Sequence, residues 1–195
     1  IIACTMGAFL ILKKQITIRS RVMIQDSYDL HTMSGVVSML RYVLHGTFAV
    51  EGIGAVLYAI AFIPKYGVLR GLWYGVFHSV SAFCNAGIDI LGANSLEGYQ
   101  TDPYINLVTI LLIIVSGLGF LVWRDLTLTA KRIWKKEYPA GRALQKMRLH
   151  TKLALSMTGF LLIIGTVAIF AMEYTNPRTI GTMTTGQKWI ASLFQ

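Results

Sequence analysis

Hydrophobic and polar positions fall along this chain in long blocks, with charges gathered between the apolar runs. Residues 1–12 (IIACTMGAFLIL) are apolar, and Lys13, Lys14, Arg19 and Arg21 follow at once. Val36 to Ile63 is apolar except for Arg41, His45 and Glu51, and Pro64 is expected to stop it. Ile105 to Trp123 is nineteen residues without a formal charge, close to the roughly 20 that a spanning helix needs. Residues 124–152 hold nine basic side chains against Asp125 and Glu137, and Leu153 to Met172 is apolar again. Each long run predicts a transmembrane helix. Thirteen basic residues lie in 13–35 and 124–152 and four (Lys65, Arg70, Arg178, Lys188) in the two outer loops. Lys and Arg collect on the cytoplasmic side, so 36–63 and 153–172 run outward and 105–123 returns.

One apolar stretch fits none of these spans. Arg70 to Gly92, RGLWYGVFHSVSAFCNAGIDILG, is uncharged from Gly71 to Phe83 if His78 is neutral. That is a helix of about 20 Å against a hydrocarbon core of about 30 Å. It then meets Cys84-Asn85-Ala86-Gly87, residues poor at continuing a helix. Irregular backbone at membrane depth survives only where it is buried in protein or lines water. The stretch therefore reads as a re-entrant pore loop. A helix ending midway aims its C-terminal carbonyls, and the negative end of its dipole, at the membrane centre. Gly87 frees the backbone to turn successive carbonyls toward one axis. Rings of such oxygens replace the hydration shell of K⁺. Cys84, Asn85, Ala86 and Gly87 would supply one quarter of a ring, holding the ion through backbone carbonyls.

Composition agrees: the chain is 54% hydrophobic with a mean hydropathy of +0.57. Its net charge of +9 raises nucleic acid as a partner, but the basic residues flank apolar spans, and no nucleic acid is expected. Cys4 and Cys84 lie in different apolar segments without metal-ligand spacing. Both ends fall inside the apolar pattern, so the stretch reads as an internal piece of a longer protein. A repeat is visible at an offset of 117 residues, placing 36–63 on 153–180 and 71–77 near 188–194. The expected organisation follows. Residues 1–35 are the end of a first unit's inner helix plus a cytoplasmic loop. Residues 36–123 are a complete helix–pore-loop–helix unit, 124–152 a basic cytoplasmic linker, and 153–195 the first helix and partial pore helix of a third unit.

Single residues sharpen the picture. Glu51 sits mid-span, where an acid is a functional candidate by default. Bracing the pore loop through hydrogen bonds is preferred over ion contact, because buried polar groups are normally paired. His78, Ser79 and Ser81 on the pore helix are read as support behind the filter. Asp89 either raises local cation concentration or is an exposed acid at a loop start. Trp73, Tyr74 and Trp123 fit interfacial belts. Gly117 and Gly119 permit close packing or bending. Residues 126–138 form a basic amphipathic helix, for the inner membrane face or for an intracellular regulator.

The strings FHSVSAFCNAGIDILG and INLVTILLIIVSGLGFLVWRDL resemble the second pore loop and following helix of the Trk/Ktr/HKT potassium-uptake superfamily, with KtrB-type membrane subunits the nearest in pattern. The resemblance implies an all-α membrane protein of voltage-gated-like ion-channel architecture, with four helix–pore-loop–helix units as a pseudo-tetramer around one pathway and a filter glycine in each. Only Gly87 carries over here. It further implies a homodimer of the full subunit, a cytoplasmic nucleotide-binding (RCK-type) regulatory subunit and a multi-pass place in a bacterial plasma membrane. No covalent cofactor is expected; K⁺ is the transported ion, and Na⁺ enters as a coupling ion or through selectivity. A secondary transporter with re-entrant hairpins also exposes backbone near the midplane, but its repeat would be inverted, and the one seen is parallel. A membrane-embedded enzyme would want clustered His, Asp, Glu or Cys in the spans, and none is found.

Overall fold

A computed structural model describes residues 36–92, 95–137 and 139–195. The helix end and loop expected over 1–35, with Cys4, lie outside them. The chain divides into two compact units, 1–52 and 53–195, and among the described residues all regular structure is helical. That agrees with the all-α membrane class. The first unit contributes the start of helix α1 (Val36–Tyr66). In it, Nδ1 of exposed His45 donates to the Arg41 carbonyl at 2.7 Å, and Glu51 is half-buried.

In the second unit α1 passes Pro64 and ends at Tyr66. A proline so near the end removes one hydrogen bond without stopping the helix. The chain turns at Gly67 into α2 (Val68–Phe83), which runs back along α1. Two glycines allow the approach. A Cβ on Gly71 would lie 2.7 Å from the Ile63 backbone, and one on Gly75 2.7 Å from the Ala55 carbonyl oxygen. Small residues four apart let helices touch backbone to backbone.

After an irregular stretch and a 3₁₀ turn, Ser95–Tyr99, comes α3 (Pro103–Gly117). Asp102 caps it, accepting from the N–H groups of Tyr104 (3.0 Å) and Ile105 (3.4 Å), with Pro103 first in the helix. α3 packs on α1 through hydroxyls. The Tyr104 hydroxyl donates to the Leu57 carbonyl at 3.0 Å. Thr109 gives its one proton to Ile105 O at 2.8 Å, so in the 2.6 Å contact with Tyr58 the phenol donates.

The nineteen-residue span expected over 105–123 is not one helix. α3 stops at Gly117, and α4 (Phe120–Trp134) leaves at 99° to it. Gly119 has φ +81 and ψ 154, a region that only glycine enters readily. The break frees the Val115 carbonyl, and the Trp123 indole N–H donates to it at 2.7 Å. Trp123 is thus turned into the bend, against the rings of Phe120 (5.1 Å) and Phe83 (5.9 Å).

Helix α5 (Leu149–Glu173) begins ahead of the expected Leu153, and the Arg148 N–H ties its start to Asp125 Oδ2 at 2.9 Å. A last helix, α6 (Thr185–Phe194), opens with a capping box between Thr184 and Gln187. Its Trp189 stacks on Phe170 of α5 at 4.1 Å. The stretch Arg41–Tyr66 and helix α5 are long and apolar enough to cross a membrane, and α3 with α4 makes a third if the bent pair is one span.

Candidate functional site

The chain that leaves α1 at Tyr66 is back beside it by Tyr99. The Tyr99 hydroxyl donates to the Tyr66 hydroxyl at 3.2 Å. The Tyr99 ring lies 5.6 Å from that of Phe62, with the Lys65 ammonium 4.1 Å above it. Burial, helped by the Tyr66 hydroxyl, pushes the Tyr99 phenol well above its ordinary range, so it stays protonated and able to donate. Between these two tyrosines, α2 has 16 residues, about 24 Å, shorter than the hydrocarbon core. The two ends of the segment therefore lie side by side, at Tyr66 and Tyr99.

At its inner tip α2 closes with a Schellman cap. The Ala86 N–H bonds the Ser81 carbonyl at 2.9 Å and the Asn85 N–H bonds the Ala82 carbonyl at 3.1 Å. Asn85 holds the left-handed position the cap requires, with φ +52. Gly87 repeats the left-handed turn two residues on, at φ +65, and a Cβ there would meet nothing within 4 Å. Its side chain is excluded by backbone angle, not by space. The chain then reverses onto α2: the Ser81 hydroxyl donates to Ile88 O at 2.5 Å and accepts from Ile88 N–H at 3.0 Å. Asp89 Oδ1 accepts from the Leu91 N–H at 3.0 Å. Cys84 to Ile88 are exposed, and Cys84 forms no disulfide among the described residues. Among the described residues no backbone N–H bonds the carbonyls of Asn85, Ala86 or Gly87. Asn85 Nδ2 reaches Ser116 Oγ at 3.4 Å, setting the tip beside the last turn of α3.

The three residues expected behind this loop are placed differently. Ser81 is bonded to Ile88, in the segment that follows the cap. Ser79 is fully buried where α1 passes, and a Cβ on Gly54 would run into its hydroxyl and into Leu112. His78 donates from Nδ1 to the Tyr74 carbonyl at 2.8 Å, within ring-contact distance of Phe62, Phe77 and Tyr58. Its Nε2 is buried with no partner among the described residues. Glu51 belongs to the other compact unit. Ile88, Asn85 as a cap, and the Gly71–Gly75 pair had no place in the sequence reading, although G-x-x-x-G was there to be read.

The N-caps of α2 and α6, Gly67 and Thr184, stand 117 positions apart, the offset of the repeat. Buried Lys188 takes the place of Gly71 in that register, its ammonium donating to the Tyr174 carbonyl at 2.7 Å. A cavity of about 700 Å³ lies elsewhere, lined by Gln100, Asn106, Glu173, Thr179 and Phe194 among others, and includes none of Cys84–Gly87. Glu173 there accepts from Asn176 Nδ2 (2.6 Å) and Thr179 Oγ1 (2.7 Å).

Comparison with known proteins gives one consistent match. A family model described as TrkH, cation transport protein, matches residues 3–195. The chain is 40% identical over 178 residues to the potassium/sodium uptake protein NtpJ of Enterococcus hirae, covering 90% of this chain and 36% of that protein. It is 34% identical over 186 residues to the Ktr system potassium uptake protein B of Bacillus subtilis, with 95% and 39% covered. The protein of that name from Vibrio alginolyticus is 30% identical over 181 residues, with 93% and 37% covered. The chain thus spans between 36% and 39% of the length of these relatives.

Proposed function

The chain belongs to the TrkH family of cation transport proteins and is part of a multi-pass cell-membrane protein, and from that premise we propose that it forms one selectivity element of a potassium uptake subunit. The observation that carries this is the hairpin from Tyr66 to Tyr99. Its helix of 16 residues is too short to cross the apolar layer, and the segment after it carries left-handed turns at Asn85 and Gly87. Left-handed residues interleaved with others swing successive carbonyls toward one side. The dipole of α2 adds negative potential at the same place. A weakly hydrated monovalent cation is the ligand this favours. Neither catalysis nor a cofactor is required.

The strand at Cys84–Gly87 lines one side of the path, and three further units complete the ring. The matching N-cap spacing of α2 and α6 supports repeated units in parallel orientation, against the inverted repeat of a secondary transporter. Two relatives named as Ktr system proteins support a place in a multi-subunit system, to which we add a cytoplasmic regulatory subunit and, for the full chain, a homodimer. The name potassium/sodium uptake protein supports a part for Na⁺ beside K⁺. Expression of the full-length protein in cells lacking their own K⁺ uptake tests the proposal. Growth at low external K⁺ is expected, and failure to grow with the protein present in the membrane would overturn it.

A further inference from the structure

The bend at Gly119 gives α4 a direction that the pore does not need. α3 has 15 residues, about 22 Å, and α4 departs at 99° from it, across the line of α3. Its start is tied through Asp125 to Arg148, at the inner end of α5. The face of α4 that includes Val122 and Thr129 is buried. At 100° per residue the opposite side aligns Arg124, Lys131 and Lys135 within a narrow arc, and all three are exposed. Leu128, 41% exposed, and Trp134, 88% exposed, flank this stripe. The ion pair of Arg132 with Glu137, at 3.9 Å, lies off the stripe.

We infer that the exposed face of α4 is a binding surface for the anionic lipid headgroups of the inner leaflet. Cations in a row at the level where the spans end match headgroup phosphates, and a flanking Trp is the side chain that settles at that depth. An in-plane helix brings all three charges to the leaflet at once, which one running straight into the cytoplasm does not. The surface is independent of which ion the pore passes.

The full-length protein, purified and reconstituted in phosphatidylcholine vesicles with graded phosphatidylglycerol, tests this. Retention of phosphatidylglycerol through delipidation is compared between the native protein, Arg124→Gln/Lys131→Gln/Lys135→Gln, and a charge-keeping Arg124→Lys/Lys131→Arg/Lys135→Arg control. With about fivefold in affinity expected for each charge near the surface, the Gln variant should bind on the order of 100-fold more weakly, and the control should match the native protein. Brominated phospholipid should quench a Trp134 signal defined by difference from Trp134→Phe. Unchanged retention in the Gln variant, or no quenching of Trp134, would overturn the proposal. So would unchanged lipid retention with loss of binding to a soluble cytoplasmic protein, which would reassign the stripe to a protein partner.

Discussion

Ser81 and Ile88 exchange two hydrogen bonds, the serine hydroxyl giving its proton to the Ile88 carbonyl and accepting the Ile88 N–H. Ser81 is buried in the last turn of α2, so the strand leaving Gly87 is pinned to the helix that brought it in. Ser81→Ala removes both bonds, a loss of roughly 0.5–1.5 kcal/mol each, and lets Cys84–Gly87 drift. The full-length variant should insert normally yet discriminate less between K⁺ and Na⁺ in competition uptake. Ser81→Thr keeps the hydroxyl and should restore discrimination. Equal discrimination in all three proteins would remove Ser81 from the account.

Asn85 should tolerate glycine and resist a branched side chain. Its φ of +52 is required by the cap that ends α2. Asn85→Val places a β-branched residue in the left-handed region at a cost of about 1–2 kcal/mol, whereas Asn85→Gly adopts it freely. Thermal unfolding in detergent should rank the native protein and Asn85→Gly together and Asn85→Val below them.

Gly71 and Gly75 are sites of helix contact. Adding a methyl group at either meets α1 backbone at 2.7 Å, and backbone cannot move aside as a side-chain end does. Gly71→Ala and Gly75→Ala should each lose roughly 1–3 kcal/mol, read as a lower melting temperature and lower monodisperse yield. Gly52→Ala, where a Cβ meets nothing within 4 Å, is the control and should change neither.

Glu51 is half-buried in the middle of α1. Glu51→Gln keeps its shape and removes its charge. Folded yield should fall more than ion preference changes, as expected of a bracing acid. Normal yield with altered preference would place Glu51 in the ion path instead.

The sequence made the hairpin visible because α2 is apolar but too short to span, and because Asn85 and Gly87 follow it. The start of α3 was equally open to reading, since Asp102-Pro103 is a cap followed by a first-turn proline. The bend at Gly119 was legible only as one option, since Gly117 and Gly119 permit either close packing or bending. The nineteen uncharged residues from Ile105 to Trp123 carry a length signal that drowns a single glycine, and only the geometry shows Trp123 reaching back to the carbonyl that the break exposes. Pro64 misled in the opposite sense, since a proline in a last turn is tolerated. The Ser81–Ile88 pair was out of reach of pattern, because it joins a side chain to backbone across a turn whose path depends on two left-handed residues.

The central claim is that bare main-chain oxygens at Gly87 face the permeating ion, and replacing that residue tests it most directly. Gly87→Ser in the full-length protein forces a side chain onto a backbone at φ +65 with open space around it, so packing is spared while the carbonyls turn. Uptake of K⁺ against competing Na⁺ should show the preference for K⁺ markedly reduced, with membrane insertion unchanged. A variant that inserts normally and retains the native K⁺ preference would contradict the account.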